Sequence, residues 1–261
     1  MTASSAITMS APAKLTWSLR ITGRRADGYH LLDAEMVSLD LCDLVRIEPE
    51  LSGVVSDGPF ADGVPTDGDN LVVKALDLVG RRARVTVTKN IPHGGGLGGG
   101  SADAAAILRW AGWTTPDQAR RGAVIGADVP FCVIGGRARV TGIGEEIAPL
   151  PFEDRVVTLV VPPLRVSTPA VYRAWDALNE DDRFSDDSTN DLEAAAMTVE
   201  PELVTWRDRI RAACDTRPIL AGSGATWFVP GDHGHLADRL VDARVIVTRT
   251  IPSVGSAGDG L

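Results

Sequence analysis

Aromatic side chains are scarce in this 261-residue chain, at 5% of the sequence, and tyrosine occurs only at positions 29 and 172. Lysine is as rare: Lys14, Lys74 and Lys89 stand among 26 basic residues that are otherwise arginine, a bias that genome composition alone can produce. Three cysteines, Cys42, Cys132 and Cys214, lie far apart with no C-x-x-C spacing, which argues against a zinc knuckle or a disulfide framework and predicts free, buried thiols in a reducing compartment. No stretch approaches the ~18 apolar residues of a membrane span, and MTASSAITMSAPAKL lacks a charged segment followed by an apolar core, so a soluble cytoplasmic protein is expected. The net charge of −9 gives no global support to a nucleic-acid or anionic-membrane partner. Any polyanionic ligand must find local donors.

At 44% hydrophobic the chain can bury a substantial core as one large domain or two smaller ones. AKLTWSLRI (13–21) alternates apolar and polar residues as a half-buried strand, with Lys14 and Thr16 on its polar face. A turn at Asp27-Gly28 leads into a second strand through EMVSLDLCDLVRIEP, so the chain opens with antiparallel structure. A Gly/Asp/Pro-rich loop is expected over 52–69, then a short helix capped by Asp69 or Asn70, and a strand over 83–89. A helix is expected from Ser101 as N-cap, then a loop at 126–128 and two strand-like runs around Gly135-Gly136. Beyond a composition shift near 151–155 come a strand, the helix TPAVYRAWDAL, a long acidic loop, further helices, the strand TWFVP, a helix near 235–242, the strand RVIVTRTI and a frayed tail.

The most telling stretch is HGGGLGGGS, residues 93–101, with six glycines in the seven positions 94–100. Glycine destabilises a folded chain, so such a cluster signals special backbone angles or a ligand held against main-chain N–H groups. A P-loop is excluded because no lysine follows these glycines. Gly94, Gly96 and Gly99 formally match G-x-G-x-x-G, but the βαβ context of a dinucleotide site is missing. An HGGG oxyanion loop would need a G-x-S-x-G elbow, and none is present. A turn that serves no ligand stays open, as does one that wraps the triphosphate of ATP between its amides and the positive end of the following helix.

Five segments in order, PAKL (12–15), TGRRADGYH (22–30), IPHGGGLGGGS (91–101), GADVPF (126–131) and AGSGA (221–225), resemble the GHMP kinase superfamily. Within it they are similar to the branch that phosphorylates a cytidine-diphosphate alcohol on the route to isoprenoid precursors. The resemblance implies an α+β fold of two domains: an N-terminal ATP-binding domain like domain 2 of ribosomal protein S5 (1–152) and a ferredoxin-like C-terminal domain (153–261), with the site in the cleft between them. It implies ATP, with Mg²⁺ whose ligands it does not assign, and a small-molecule acceptor.

It further implies Asp128 as the base that deprotonates the acceptor hydroxyl, with Lys14 beside it balancing charge on the transferred phosphoryl group. ATP would be held by Asn70, Leu71, Lys89, Gly94, Gly95, Gly96, Leu97, Gly98, Gly99, Gly100 and Ser101. The acceptor would meet Thr16, Tyr29, His30, Asp128, Thr168 and Tyr172, with the cytosine stacked between the two tyrosines and its edge read at His30. Without the resemblance, Asn70 is a helix cap, Asp128 a loop aspartate, and Tyr29 with His30 a hairpin end. Thr16 replaces a common Asn, Ala102-Asp103 a common Ser-Asn, and the segment before GADVPF is short for the family. Two alternatives follow: a kinase of another small alcohol, and a nucleotide-binding relative without catalysis.

Overall fold

The computed structural model describes residues 5–49, 51–178 and 188–253. Strand β1 (Ile7–Arg24) runs antiparallel to β2 (His30–Pro49), joined by a turn at 25–29 where Gly28 takes φ +93. β1 is longer than the alternation over 13–21 predicts, because register shifts at Pro12/Lys14, Thr16/Ser18 and Ile21/Gly23 break that alternation without ending the pairing. The expected loop over 52–69 contains a short edge strand, β3 (Gly53–Asp57), parallel to β4 (Ala83–Thr88). Between them lies helix α1 (Leu71–Leu78), capped by Asn70, whose Oδ1 accepts from the amide of Val72.

Helix α2 (Gly99–Trp110) starts earlier than expected: its N-cap is Gly98 in the left-handed region at φ +69, so Ser101 sits inside the first turn instead of capping it. Its residues 102–108 are all buried, and the alanines at 102 and 104–106 let the helix approach the hairpin closely. Helix α3 (Pro116–Arg121) is fixed by a Thr115/Gln118 capping box. The first run before Gly135 is not a strand but helix α4 (Val129–Ile134), since Pro130 in its first turn sets a helical φ on an otherwise strand-like apolar segment. β5 (Arg137–Gly142) and β6 (Glu146–Pro149) follow.

The remainder builds β7 (Val156–Val161), α5 (Thr168–Ala177), α6 (Glu193–Val199), α7 (Glu202–Cys214), β8 (Ile219–Leu220), β9 (Trp227–Pro230), α8 (Leu236–Arg239) and β10 (Arg244–Ile251). α8 is shorter than the expected 235–242 because Leu240 leaves helical geometry. β2 organises the sheet: one edge carries β1, while the other carries β5 along Leu32–Val37, β10 at Ser38 and Leu39, and β4 along Leu44–Pro49. β10 also pairs with β7, which pairs with β9, so the later strands are continuous with the earlier sheet. Fully buried Leu15, Ile107, Phe131, Leu159, Trp227 and Phe228 are among the large side chains of the core. Cys132 is buried, whereas Cys42 and Cys214 are only half-buried, and all three are free thiols. Residues 179–187 of the acidic loop and 254–261 of the tail lie outside the described residues. Among the described residues no helix is long and apolar enough to cross a membrane.

Candidate active site

Lys14 follows a register shift in β1, and its own amide donates to Leu97 O at 3.0 Å, so the strand is bonded to the middle of the glycine turn. Its ammonium, on a side chain only 7% exposed, lies 3.3 Å from Asp128 Oδ2 and 3.3 Å from Thr16 Oγ1. Asp128 occupies the N-cap of α4 yet makes no side-chain capping bond, leaving its carboxylate to Lys14 and the cleft. Two segments, β1 and the loop before α4, thus meet at the ammonium, and a third, the glycine turn, is bonded to the backbone of the same lysine.

The glycine turn needs its glycines for contact as well as for angle. At Gly98 (φ +69) a Cβ would stand 2.6 Å from Lys14 Cγ. At Gly96 (φ +77) it would meet Ala221 O at 2.7 Å and Gly224 O at 3.0 Å, so this turn and the AGSGA turn pack backbone against backbone. Gly94 (φ +76) has nothing within 4 Å of the same point. Among the described residues no acceptor takes the main-chain N–H of Gly94 through Gly98. The first N–H groups of α2 have no intrahelical partner either. A row of unclaimed amides ending at a helix N-terminus is a fitting cradle for a polyphosphate, and it supplies locally the positive potential that an acidic chain lacks overall.

A cleft of about 560 Å³ opens beside this turn and joins both halves of the expected site. Lys14, Thr16, Gly96, Gly98, Ser101 and Asp128 line one part of it; Tyr29, His30, Thr168 and Tyr172 line another. Thr168 Oγ1 is 2.7 Å from Ser223 Oγ, which ties the start of α5 to the AGSGA turn. Tyr172 stacks on the His30 ring at 4.9 Å and 23°, and burial, then the nearby Asp128 charge, pushes its phenol up to about 12. His30 Nε2 lies 2.7 Å from Asp176 Oδ1, and Trp175 meets the imidazole edge-on at 5.4 Å. The imidazole is therefore packed between other side chains, and the exposed ring at this end is Tyr29, 59% accessible, with the Arg25 guanidinium 5.6 Å from its centroid.

Asn70, Leu71 and Lys89 do not line the cleft. Leu71 packs behind the turn, with its Cδ1 3.7 Å from the Cβ position of Gly100. Lys89 needs correction as an open nucleotide ligand: its ammonium is buried and held by Asp43 and Asp103. Sequence reasoning also missed Asn190, a buried residue whose Nδ2 donates to Leu220 O at 2.9 Å and Gly222 O at 2.7 Å, bracing the AGSGA turn. Nothing in the acidic stretch around Asn190 distinguishes it.

The model of the GHMP kinases N terminal domain matches residues 70–136, which include the glycine turn and Asp128. A 4-diphosphocytidyl-2-C-methyl-D-erythritol kinase of Paracoccus denitrificans is 41% identical over 97% of this chain and 96% of its own. The enzyme of that name from Moorella thermoacetica is 35% identical over 94% and 99%. A crystal structure of 4-(cytidine 5'-diphospho)-2C-methyl-D-erythritol kinase superposes with a TM-score of 0.72 at 31% identity, covering 94% of this chain and 100% of that one. A homoserine kinase from Cytophaga hutchinsonii shares the fold at a TM-score of 0.64 and 15% identity. With relatives this similar along nearly its whole length, the chain belongs to the 4-diphosphocytidyl-2-C-methyl-D-erythritol kinase family of GHMP kinases.

Proposed function

We propose that this chain transfers the γ-phosphoryl group of ATP to the 2-hydroxyl of 4-diphosphocytidyl-2-C-methyl-D-erythritol, a step of the non-mevalonate route to isoprenoid precursors. The observation that carries this reading is the Lys14–Asp128 pair at 3.3 Å, set directly against a glycine turn whose amides are unclaimed. Asp128 accepts the hydroxyl proton as the acceptor oxygen bonds to the γ-phosphorus. The bond from that phosphorus to the bridging oxygen breaks, and ADP leaves with the electron pair. Lys14 keeps the carboxylate oriented and balances charge on the phosphoryl oxygens, while Thr16 Oγ1 fixes the ammonium from its other side.

ATP lies with its phosphates on the amides of 94–101, and Asn70 and Leu71 support the adenine side from behind the turn. Mg²⁺ bound with the nucleotide would neutralise charge on its phosphates; among the described residues no group of three or more His, Cys, Asp or Glu side chains forms a metal site of its own. The cytosine stacks on Tyr29 near His30 and Tyr172, with Thr168 at the entrance to α5. We place the boundary between the ATP-binding unit (1–152) and the C-terminal unit (153–261) just before β7, and the three free thiols favour a cytoplasmic location.

ADP release measured with 4-diphosphocytidyl-2-C-methyl-D-erythritol, mevalonate and homoserine tests the reading. Turnover with the cytidine acceptor alone is expected; preference for either other alcohol, or none with any of them, overturns it. Tyr29→Ala should raise KM for the cytidine acceptor in proportion to a lost stacking energy of about 1–3 kcal/mol, leaving KM for ATP in place.

A further inference from the structure

Beneath the glycine turn one ammonium is shared by two carboxylates. Lys89 Nζ donates to Asp103 Oδ2 at 2.6 Å and to Asp43 Oδ2. Asp43 Oδ1 accepts the amides of Asn90 and Ile91 at 2.5 and 2.8 Å, where the chain enters the turn. Asp103 belongs to α2, whose start lines the cleft at Gly98 and Ser101, and Nζ lies 3.3 Å from the Cβ position of Gly99. All three residues are buried, so their charges are poorly screened. Fully ionised, the cluster holds one excess negative charge directly behind the amides that would receive a polyphosphate. Asp103 Oδ1 is buried with no hydrogen-bond partner.

That orphaned oxygen marks Asp103 as the member that best tolerates neutralisation. Burial pushes the Asp103 carboxyl up to about 7, with Lys89 opposing and the Asp43 charge adding to the rise. Burial pulls Lys89 down, but the charges of Asp103 and Asp43 outweigh it and leave the ammonium above its ordinary value. Of the elements packed against α2, β2 brings Asp43 and β1 brings Lys14, while Asp77 on α1 is exposed to solvent. Cys132 on α4 also feels Asp103, and burial pushes its thiol up to about 12, so it stays protonated across the neutral range.

We propose that Asp103 is a positioning residue of the phosphate turn that takes up a proton when a nucleoside triphosphate fills the turn. The proposal rests on the reading of 94–101 as the ATP site. A triphosphate adds several negative charges against the start of α2, which raises the proton affinity of a carboxylate buried behind it. Linkage makes the effect reciprocal: protonation at Asp103 tightens ATP, and ATP draws a proton. The group's proton affinity is higher in the complex, so its contribution is complete below the value in the free protein and is lost as pH rises through the value in the complex.

Titration calorimetry of ATP against the full chain, in buffers of different ionisation enthalpy between pH 6 and 9, tests this. The unmodified protein should take up more protons than Asp103→Asn between pH 7 and 8, and its Kd should rise by up to about tenfold per pH unit where the group titrates. Asp103→Asn keeps an oxygen for Lys89 and should show only the slope that ATP itself contributes. Asp103→Ala, which leaves Lys89 one partner, should weaken ATP at every pH, with Asn restoring the affinity. Equal proton uptake in the unmodified protein and Asp103→Asn overturns the proposal while leaving the nucleotide site intact. No ATP binding to the unmodified protein at any pH overturns the nucleotide site itself.

Discussion

Lys14 reaches Asp128 because the residue facing its aliphatic stem is glycine. A methyl group at position 98 would stand 2.6 Å from Lys14 Cγ, well inside contact distance, and the lysine stem would have to move. Gly98→Ala should therefore lower kcat, while Gly94→Ala, which has the same left-handed geometry but open space around its Cβ, should leave kcat near its starting value. Both variants carry a backbone strain of about 1–2 kcal/mol and Gly98→Ala the Lys14 clash besides, so both melting temperatures should fall, that of Gly98→Ala further, and their kcat values should diverge. Equal kcat losses would mean that the Lys14 stem does not set the geometry. Asp128→Asn removes the proposed proton acceptor with minimal change of shape, and kcat should drop about 10²- to 10⁴-fold with the melting temperature retained. Steady-state kinetics beside thermal melts separates these outcomes; full activity in folded Asp128→Asn would assign the base elsewhere.

Among the elements, the segment 188–193 does more than its polar sequence suggests. Thr189 O accepts from Leu19 N at 2.8 Å and Asp191 N donates to Leu19 O at 3.0 Å, so the segment adds to the edge of β1. Asp191 receives Arg20 Nη1 at 2.7 Å and the Ile21 amide at 2.8 Å, while Asn190 holds the carbonyls of Leu220 and Gly222. Asn190→Ala leaves two buried carbonyls without a donor and should destabilise the protein by about 1–3 kcal/mol, read as a lower denaturant midpoint. It should also loosen the AGSGA turn that backs Gly96, raising KM for ATP. An unchanged midpoint would show that water replaces the amide. This brace is not legible in the sequence, because a tether between distant segments leaves no periodicity. Elements whose local chemistry decides them were legible: the alternating β1, the capped α1, the helical alanine run. The errors fell where local and tertiary signals disagree. VPFCVI reads as a strand until Pro130 is placed in a first turn, GVVSD is too short to stand out, and α2 begins at a left-handed glycine in place of the serine that local capping favours.

Across the molecule, five motifs spread from residue 12 to residue 225 become one site because β2 spans both parts of the sheet. The hairpin delivers Lys14 and, at its far end, Tyr29 and His30; β10 returns to Ser38 and Leu39 and ties the C-terminal strands, with the AGSGA turn, to the same scaffold. Lys14, Asp128 and the glycine turn could be paired from sequence through the resemblance, and they lie together. The charge cluster beneath the turn was less visible, since Lys89 taken singly suggests a ligand for phosphate and only the fold shows its ammonium already claimed. A crystal structure with a non-hydrolysable ATP analogue and 4-diphosphocytidyl-2-C-methyl-D-erythritol bound together tests this arrangement directly. The phosphates should lie on the amides of residues 94–101 and the acceptor 2-hydroxyl about 3 Å from the Asp128 carboxylate, in line with the γ-phosphorus. Phosphates bound away from the turn, or a hydroxyl out of reach of Asp128, would contradict it.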